Sequence, residues 1–127
     1  MIDCHIVIKN ALLANDALTE LTSTRIWPGR VMPVPGYQPA QGGAVAFRTR
    51  GGGTIYPGSL QFPSVQFKCW GATDGAAMAV YRALYDALEW PAGGIKSTQV
   101  DALGQPAEEE NGWPFVLGFW TVWLNVK

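Results

Sequence analysis

The sequence predicts an α+β fold: a mostly antiparallel sheet of about four strands, two main helices packed on one face of that sheet, and long loops rich in proline and glycine. The chain has 127 residues, 48% of them hydrophobic and 15% charged, which predicts one domain over residues 1–127 with a core of its own and excludes a disordered chain. Two segments alternate apolar and polar residues as strands do, and one repeats apolar residues with helical spacing. The 15 glycines and 9 prolines exceed ordinary usage and predict the long loops.

The N-terminal segment, residues 2–14, fits two kinds of element. Its apolar residues share one helical face that Asp3 would cap, whereas the β-branched residues 6–8 suit a strand equally well. The alanine-containing end of the segment favours the helix. A short helical turn at 17–21 and a short extended piece at 26–27 are expected to follow.

Two long loops are predicted, at residues 28–43 and 51–63. The first holds four prolines and four glycines, and the second begins with three glycines that suggest a flexible hairpin tip. Between and after these loops, residues 44–50 and 64–70 alternate as half-buried strands. The residues of the second strand expected to point away from the core are Gln66, Lys68 and Trp70.

The clearest helix begins at Thr73 or Asp74 and ends before Pro91, and its apolar stripe would pack on one face of the sheet. A weaker strand at 95–103 and a polar loop at 104–112 follow. The last strand, residues 113–126, is apolar on both faces, so both faces must be covered. One helical layer covers one face, and we expect a neighbouring subunit to cover the other.

The charge is unevenly distributed along the chain. The net charge is −1, which gives no general argument for binding nucleic acid. Residues 1–70 hold six basic and three acidic groups, whereas residues 71–127 hold three basic and seven acidic groups. A bipolar subunit suits the head-to-tail packing that closes rings, although chance scatter explains the division equally well.

No motif in the sequence indicates a catalytic site, a cofactor or a metal site. His5 is the only histidine, so any catalytic dyad or triad would need it, and a surface or capping role is favoured. Cys4 and Cys69 form no CxxC motif, so neither a zinc site nor a disulfide framework is indicated, and Cys69 in its apolar strand is expected to be a reduced core residue. The glycines at 51–53 lack the Lys-Ser/Thr that follows a phosphate-binding loop. No apolar segment is long enough for a membrane span, and the N-terminus lacks the features of a signal peptide, so assembly in a cytoplasm is expected.

Basic, acidic and tryptophan residues are the candidates for contacts between subunits. Residues 21–50 hold arginines and no acid, which predicts a basic patch that would bind phosphate or, as we favour, an acidic loop of a neighbour. Residues 108–110 are three glutamates whose side chains point apart, so an acidic loop is favoured over a cation site. Tryptophan is enriched at interfaces. The interface candidates are Arg25, Arg30, Arg48, Arg50, Trp70, Glu108, Glu109, Glu110, Trp120 and Trp123.

Three stretches carry a further pattern of hydrophobic spacing. Residues 11–30 (ALLANDALTELTSTRIWPGR) suggest a helix, a short turn and Arg-Ile-aromatic-Pro. Residues 64–88 (SVQFKCWGATDGAAMAVYRALYDAL) suggest a strand ending in Trp-x-Ala before an alanine-rich helix, and residues 113–124 (WPFVLGFWTVWL) the closing strand. Together they resemble the tail-completion proteins, or tail terminators, of long-tailed bacteriophages. The chain departs from the family pattern in its proline-rich loop at 31–43 and its β-branched N-terminal segment.

The resemblance implies a structural virion protein without enzymatic activity or cofactor. Such proteins form a ring, expected to be a hexamer, that caps the head-proximal end of the tail tube, ends tube polymerisation and joins tail to head. The implied partners are further copies of the chain, the tail tube protein and a head-side neck protein (stopper or connector), at the neck of a virion assembled in the host cytoplasm.

DNA would pass through the lumen of such a ring without specific binding, and residues 108–110 are candidates for an acidic lining that repels phosphate. The loops at 28–43 and 51–63 are candidates for the contact with the tube end. Two alternatives stay open: another ring protein of the neck, such as a stopper or adaptor, and a small binding domain whose tryptophan-rich face holds a ligand.

Overall fold

A computed structural model describes residues 3–55, 60–91 and 93–125. In this part of the chain, three α-helices pack against a five-stranded sheet. The helices are α1 (Cys4–Leu13), α2 (Asp16–Thr22) and α3 (Asp74–Glu89). The strands are β1 (Ile26–Pro28), β2 (Ala44–Ile55), β3 (Leu60–Trp70), β4 (Ile95–Glu108) and β5 (Pro114–Asn125).

The sheet is mixed, with strand order β1-β2-β3-β5-β4. β1 runs parallel to β2, and the other neighbouring strands are antiparallel. The prediction of about four strands and two main helices is therefore wrong. β1 has only three residues, too few to show an alternating pattern, and it becomes a strand because it pairs with residues 45–47 of β2. The turn predicted at 17–21 is a helix of seven residues.

The glycine run at 51–53 is not a hairpin tip, because β2 continues through it to Ile55. Gly51 and Gly52 have φ of 101° and 115°, and the pairing with β3 shifts register between Thr49 and Gly52. These glycines form a β-bulge, which needs residues that tolerate positive φ. The loop predicted at 51–63 is therefore wrong for residues 51–55 and 60–63, and residues 56–59 lie outside the described residues.

β4 is also longer than predicted, since it runs on to Glu108 instead of ending at residue 103. Its pairing with β5 shifts register at three places, including one between Ala102 and Gln105. These irregularities interrupt the alternation in the sequence, and the strand is nevertheless held by its pairing with β5. β4 is an edge strand, and most of its side chains are exposed.

The three helices cover one face of the sheet, and each begins at a capping side chain. Asp3 accepts a hydrogen bond from the backbone N–H of His5 at 3.0 Å, and Thr73 accepts one from Ala76 at 3.1 Å. The ambiguous N-terminal segment is thus a helix from Cys4. The main core lies between these helices and the sheet and includes Ile8, Leu12, Leu84, Leu88, Val45, Phe47, Val65, Phe67, Val116, Trp120 and Val122. Across the described residues, no helix is both long enough and apolar enough to span a membrane.

Candidate interaction surface

The face of the sheet opposite the helices, here called the open face, carries a row of half-buried apolar side chains. Leu117, Phe119 and Trp123 alternate along β5 on this face, and Phe62 of β3 stacks on Trp123 with the ring centroids 4.8 Å apart. We call these four residues the aromatic row. Each of them keeps part of its surface exposed to solvent.

One end of the open face is covered by the chain itself. There the loop over residues 28–43 lies on Trp70, which is 0% exposed. Tyr37 of this loop contacts Trp27 and Trp113 edge-on, with centroid distances of 5.1 Å and 5.8 Å. The expectation that a neighbouring subunit must cover the whole second face is therefore wrong at this end, because a loop distant in sequence covers it.

Hydrogen bonds within this loop and to the rest of the domain fix its position. The Tyr37 hydroxyl donates to the carbonyl of Gly42 at 2.6 Å, and Arg25 Nε donates to the carbonyl of Gly43 at 2.9 Å. Burial raises the pKa of the Tyr37 hydroxyl, and the charge of Arg25 partly opposes that rise. A loop with buried side chains and internal bonds is part of the fold, so its deletion would uncover Trp70.

Lys68 marks the boundary between the covered end and the aromatic row. Its ammonium donates to Glu109 Oε1, and it also lies 4.1 Å from the centroid of the Phe115 ring. Lys68 and Trp70 point away from the helices as predicted, but they are buried rather than exposed. A paired and largely desolvated ammonium costs little only because it has both a carboxylate and an aromatic face beside it.

Two arginines of β2 flank the aromatic row. The guanidinium carbon of Arg50 lies 4.6 Å from the centroid of the Phe119 ring, and Arg48 is exposed. Among the described residues, ion pairs join only His5 to Asp3 and Lys68 to Glu109. Arg48 and Arg50 therefore have no carboxylate partner in that part of the chain.

The structure separates the ten interface candidates into three groups. Trp70 and Trp120 are core residues: Trp120 is 2% exposed and lies 5.2 Å from Phe67, measured between ring centroids, on the helical side. Their burial in the single chain argues against direct contact with another subunit, and a role at an interface stays a prediction for both. Arg25 and Glu109 form bonds within the domain. The candidates left with accessible side chains are Arg30, Arg48, Arg50, Glu108, Glu110 and Trp123.

Sequence reasoning also missed accessible apolar residues. It identified both faces of the last strand but did not single out Leu117 and Phe119 on the open face. It also missed Trp90, which follows the last residue of α3 and is 82% exposed. The signal available for Trp90 was its position directly before the proline that ends the helix.

The open face offers ring stacking, apolar contact and two guanidinium groups, a combination typical of protein–protein contacts.

Burial raises the pKa of the Cys69 thiol, which lies in the helix-side core. Burial, and after it the charge of Asp3, raises the pKa of the Cys4 thiol. Within the described residues, no group of three His, Cys, Asp or Glu residues could hold a metal ion.

The three stretches that carry the phage resemblance adjoin one another in the fold. Residues 64–88 supply most of β3 and all but the last residue of α3, and residues 113–124 supply nearly all of β5, which pairs with β3. Residues 11–30 supply α2 and β1. No model of a known protein family matches the chain, and no curated protein sequence matches it either. The relationship to tail terminators therefore stays a prediction from the sequence.

Proposed function

We propose that the protein is a tail terminator: a structural virion protein whose copies form a hexameric ring that caps the head-proximal end of a phage tail tube, ends tube polymerisation and joins the tail to the head. Two lines support this proposal. The first is the resemblance of residues 11–30, 64–88 and 113–124 to that family. The second is the aromatic row, and it carries the proposal.

The aromatic row is half-buried, and the guanidinium groups that flank it have no carboxylate partner among the described residues. Such a surface is suited to contact with another chain. Contiguous exposed apolar patches mark protein–protein contacts in folded proteins. The two sides of this subunit also differ, since helices cover one side and aromatic and guanidinium groups occupy the other. Unlike surfaces in contact give heterologous interfaces, which close into rings when the rotation allows it.

Capping a tube requires coverage of its end and no covalent chemistry. A growing end exposes the surface that templates the next ring of subunits, and a cap must cover that surface without presenting it again. The proposed role therefore requires neither a cofactor nor a chemical reaction. The exposed carboxylates of Glu108 and Glu110 are the candidates to line the lumen, where they would repel the phosphates of passing DNA.

The test is a phage that lacks this protein, compared with the same phage complemented by the wild-type gene. We expect filled heads and normal tube subunits but no infectious particles, and electron microscopy should show tubes longer than the wild-type length. Tails of normal length joined to heads would overturn the proposal. Tails of normal length that remain separate from filled heads would instead favour a stopper or adaptor of the neck.

A further inference from the structure

We propose that the C-terminal end of α3 in one copy docks on the aromatic row of the next copy, with Trp90 as the apolar anchor and Asp86 and Glu89 facing Arg48 and Arg50. This inference rests on the ring proposed above and names the surfaces that would join its subunits. It commits to a second copy of this chain as the partner. The carrying observation is the match between two surfaces that the fold leaves open on opposite sides of one subunit.

The α3 end is the more unusual of the two surfaces because of Trp90. At 82% exposure it has the highest exposed fraction among the large hydrophobic side chains of the described residues. It occupies the C-cap position of α3, where its backbone N–H bonds to the carbonyl of Asp86 and the next residue is Pro91. The backbone of Trp90 is thus fixed at the tip of a well-packed helix. Tryptophan in such a position is the residue type that most often dominates binding energy at interfaces.

The electrostatics of this helix end favour a cation from outside. Asp86 and Glu89 are exposed, and the last turn of α3 holds no basic residue. A helix C-terminus already carries partial negative charge, so carboxylates there destabilise the helix and a nearby cation stabilises it. Arg82, one turn earlier, forms no ion pair with Asp86 within 4.0 Å in the described structure. Within the described residues, the carboxylates at the α3 end therefore have no ion-pair partner.

The open face supplies the matching groups. Arg48 and Arg50 lack carboxylate partners within the described residues, and Arg50 lies directly over Phe119. A tryptophan placed on the aromatic row would bring neighbouring carboxylates to these guanidinium groups. Charge-assisted hydrogen bonds of this kind are stronger than neutral ones and fix the orientation of the contact.

The two surfaces cannot satisfy each other within one copy. α3 packs on the face of the sheet that carries Val65 and Phe67, whereas the aromatic row lies on the opposite face. The contact must therefore join different copies, and it joins unlike surfaces. Such a contact is heterologous, as a ring of identical subunits requires.

A second exposed apolar side chain lies on β4, beside the middle of α3. Leu103 is 71% exposed and lines, with Tyr85, Asp86 and the exposed Arg82, a shallow groove between α3 and β4. The proposed docking surface is therefore Trp90 with Asp86 and Glu89 at the α3 end. Its complement is the aromatic row, which has guanidinium groups on its β2 side. On the β4 side of the row, the Asp101 carboxylate accepts a hydrogen bond from the Thr121 hydroxyl at 2.7 Å.

The test measures the oligomeric state of the purified full chain over a range of concentrations, by sedimentation velocity and light scattering. Wild-type protein should form the ring, and Trp90→Ala should raise the dissociation constant of the subunit contact about 10-fold or more. Glu89→Arg and Arg48→Glu should each weaken assembly, whereas the double variant Glu89→Arg/Arg48→Glu should restore it, since every contact then pairs the swapped charges. Glu20→Arg, the same charge change at an exposed residue of α2, is the matched control and should assemble normally.

Each outcome decides between the two proposals. Rings of equal stability in all variants would overturn this contact and leave the ring intact. A wild-type protein that stays monomeric at every concentration would overturn the contact and the ring together. Variants that form rings normally but no longer bind isolated tail tubes would show that the α3 end docks on the tube protein, and this would overturn self-docking. Circular dichroism verifies that all variants remain folded.

Discussion

Trp120 and Trp123 lie on the same strand and belong to two different surfaces. Trp120 is 2% exposed beneath α3, in contact with Phe67 and Tyr81. Trp123 is half-buried on the open face, where Phe62 stacks on it. The comparison shows that an apolar strand face does not itself specify what covers it. The helices cover one side of β5 throughout, whereas the loop at 28–43 covers only one end of the other side.

The difference lies in what each cover is made of. Three helices present continuous apolar stripes to the sheet, and they bury nearly every side chain that faces them. The loop covers Trp70 with a few aromatic contacts and two hydrogen bonds from Tyr37 and Arg25. Such a cover extends only as far as its few side chains reach, so the rest of the open face remains available.

The largest expected effect is that of Trp120→Ala. Removing this ring leaves a cavity beside Phe67 and Tyr81, and the free energy of unfolding should fall by about 3–5 kcal/mol. Urea unfolding followed by circular dichroism measures the loss. If the variant were as stable as the wild type, the helical side would be no better packed than the open face.

Lys68→Met should have the next largest effect. The change leaves the Glu109 carboxylate without its cation at the boundary of the covered end, and the free energy of unfolding should fall by about 2 kcal/mol. The double variant Lys68→Met/Glu109→Gln should recover part of this loss, because no charge is then left unpaired. The measurement is again urea unfolding. Additive losses in the double variant would show that the two side chains are not coupled.

Alkaline pH should weaken the helical side through Cys69. Burial raises the pKa of this thiol above its ordinary value of 9.0, so the native state keeps a proton that the unfolded state releases. The stabilisation is therefore complete below pH 9.0 and declines as the pH rises above that value, by about 1.4 kcal/mol at pH 10. Unfolding experiments at several pH values measure the slope.

The control for this prediction is Cys69→Ala, which should show a shallower decline above pH 9.0. Burial also raises the pKa of Tyr37 and Tyr81, so some decline persists in the control at higher pH. An identical slope in the variant and the wild type would assign the whole effect to other groups.

The smallest effect on stability is expected for Trp123→Ala. The change removes a half-buried ring that stacks on Phe62, so the free energy of unfolding should fall by no more than about 1.5 kcal/mol. Assembly should weaken much more than stability, the reverse of the behaviour expected for Trp120→Ala. Unfolding and sedimentation experiments on both variants test the contrast. Equal losses of stability in the two would show that the open face is as well packed as the core.

Local features of the chain were predicted well where neighbouring residues determine them. Asp3 and Thr73 cap helices, and α3 ends just before Pro91. Residues 44–50 and 64–70 are strands with the predicted faces. Failures occurred where pairing overrides the local pattern: the glycine run at 51–53 looks like a turn but forms a bulge because β3 lies beside it.

The candidate site shows the same division. The sequence identified Trp123, Arg48 and Arg50, which lie on the open face. It also proposed Trp70 and Trp120, since nothing local distinguishes a covered tryptophan from an accessible one. Lys68 was expected in solvent because its strand alternates, and it is buried because Glu109 lies beside it in the fold. That partner is 41 residues away along the chain.

The sequence by itself determined the helix caps, the helical stripe of α3 and the alternation of the central strands, because each depends on residues within a turn or a strand of one another. Only the tertiary structure decided which apolar faces are covered. Coverage depends on segments that meet after folding, such as the loop at 28–43 on Trp70 or the helices on Trp120. The uncovered remainder, Trp90 on one side and the aromatic row on the other, could be identified only after those segments had been placed.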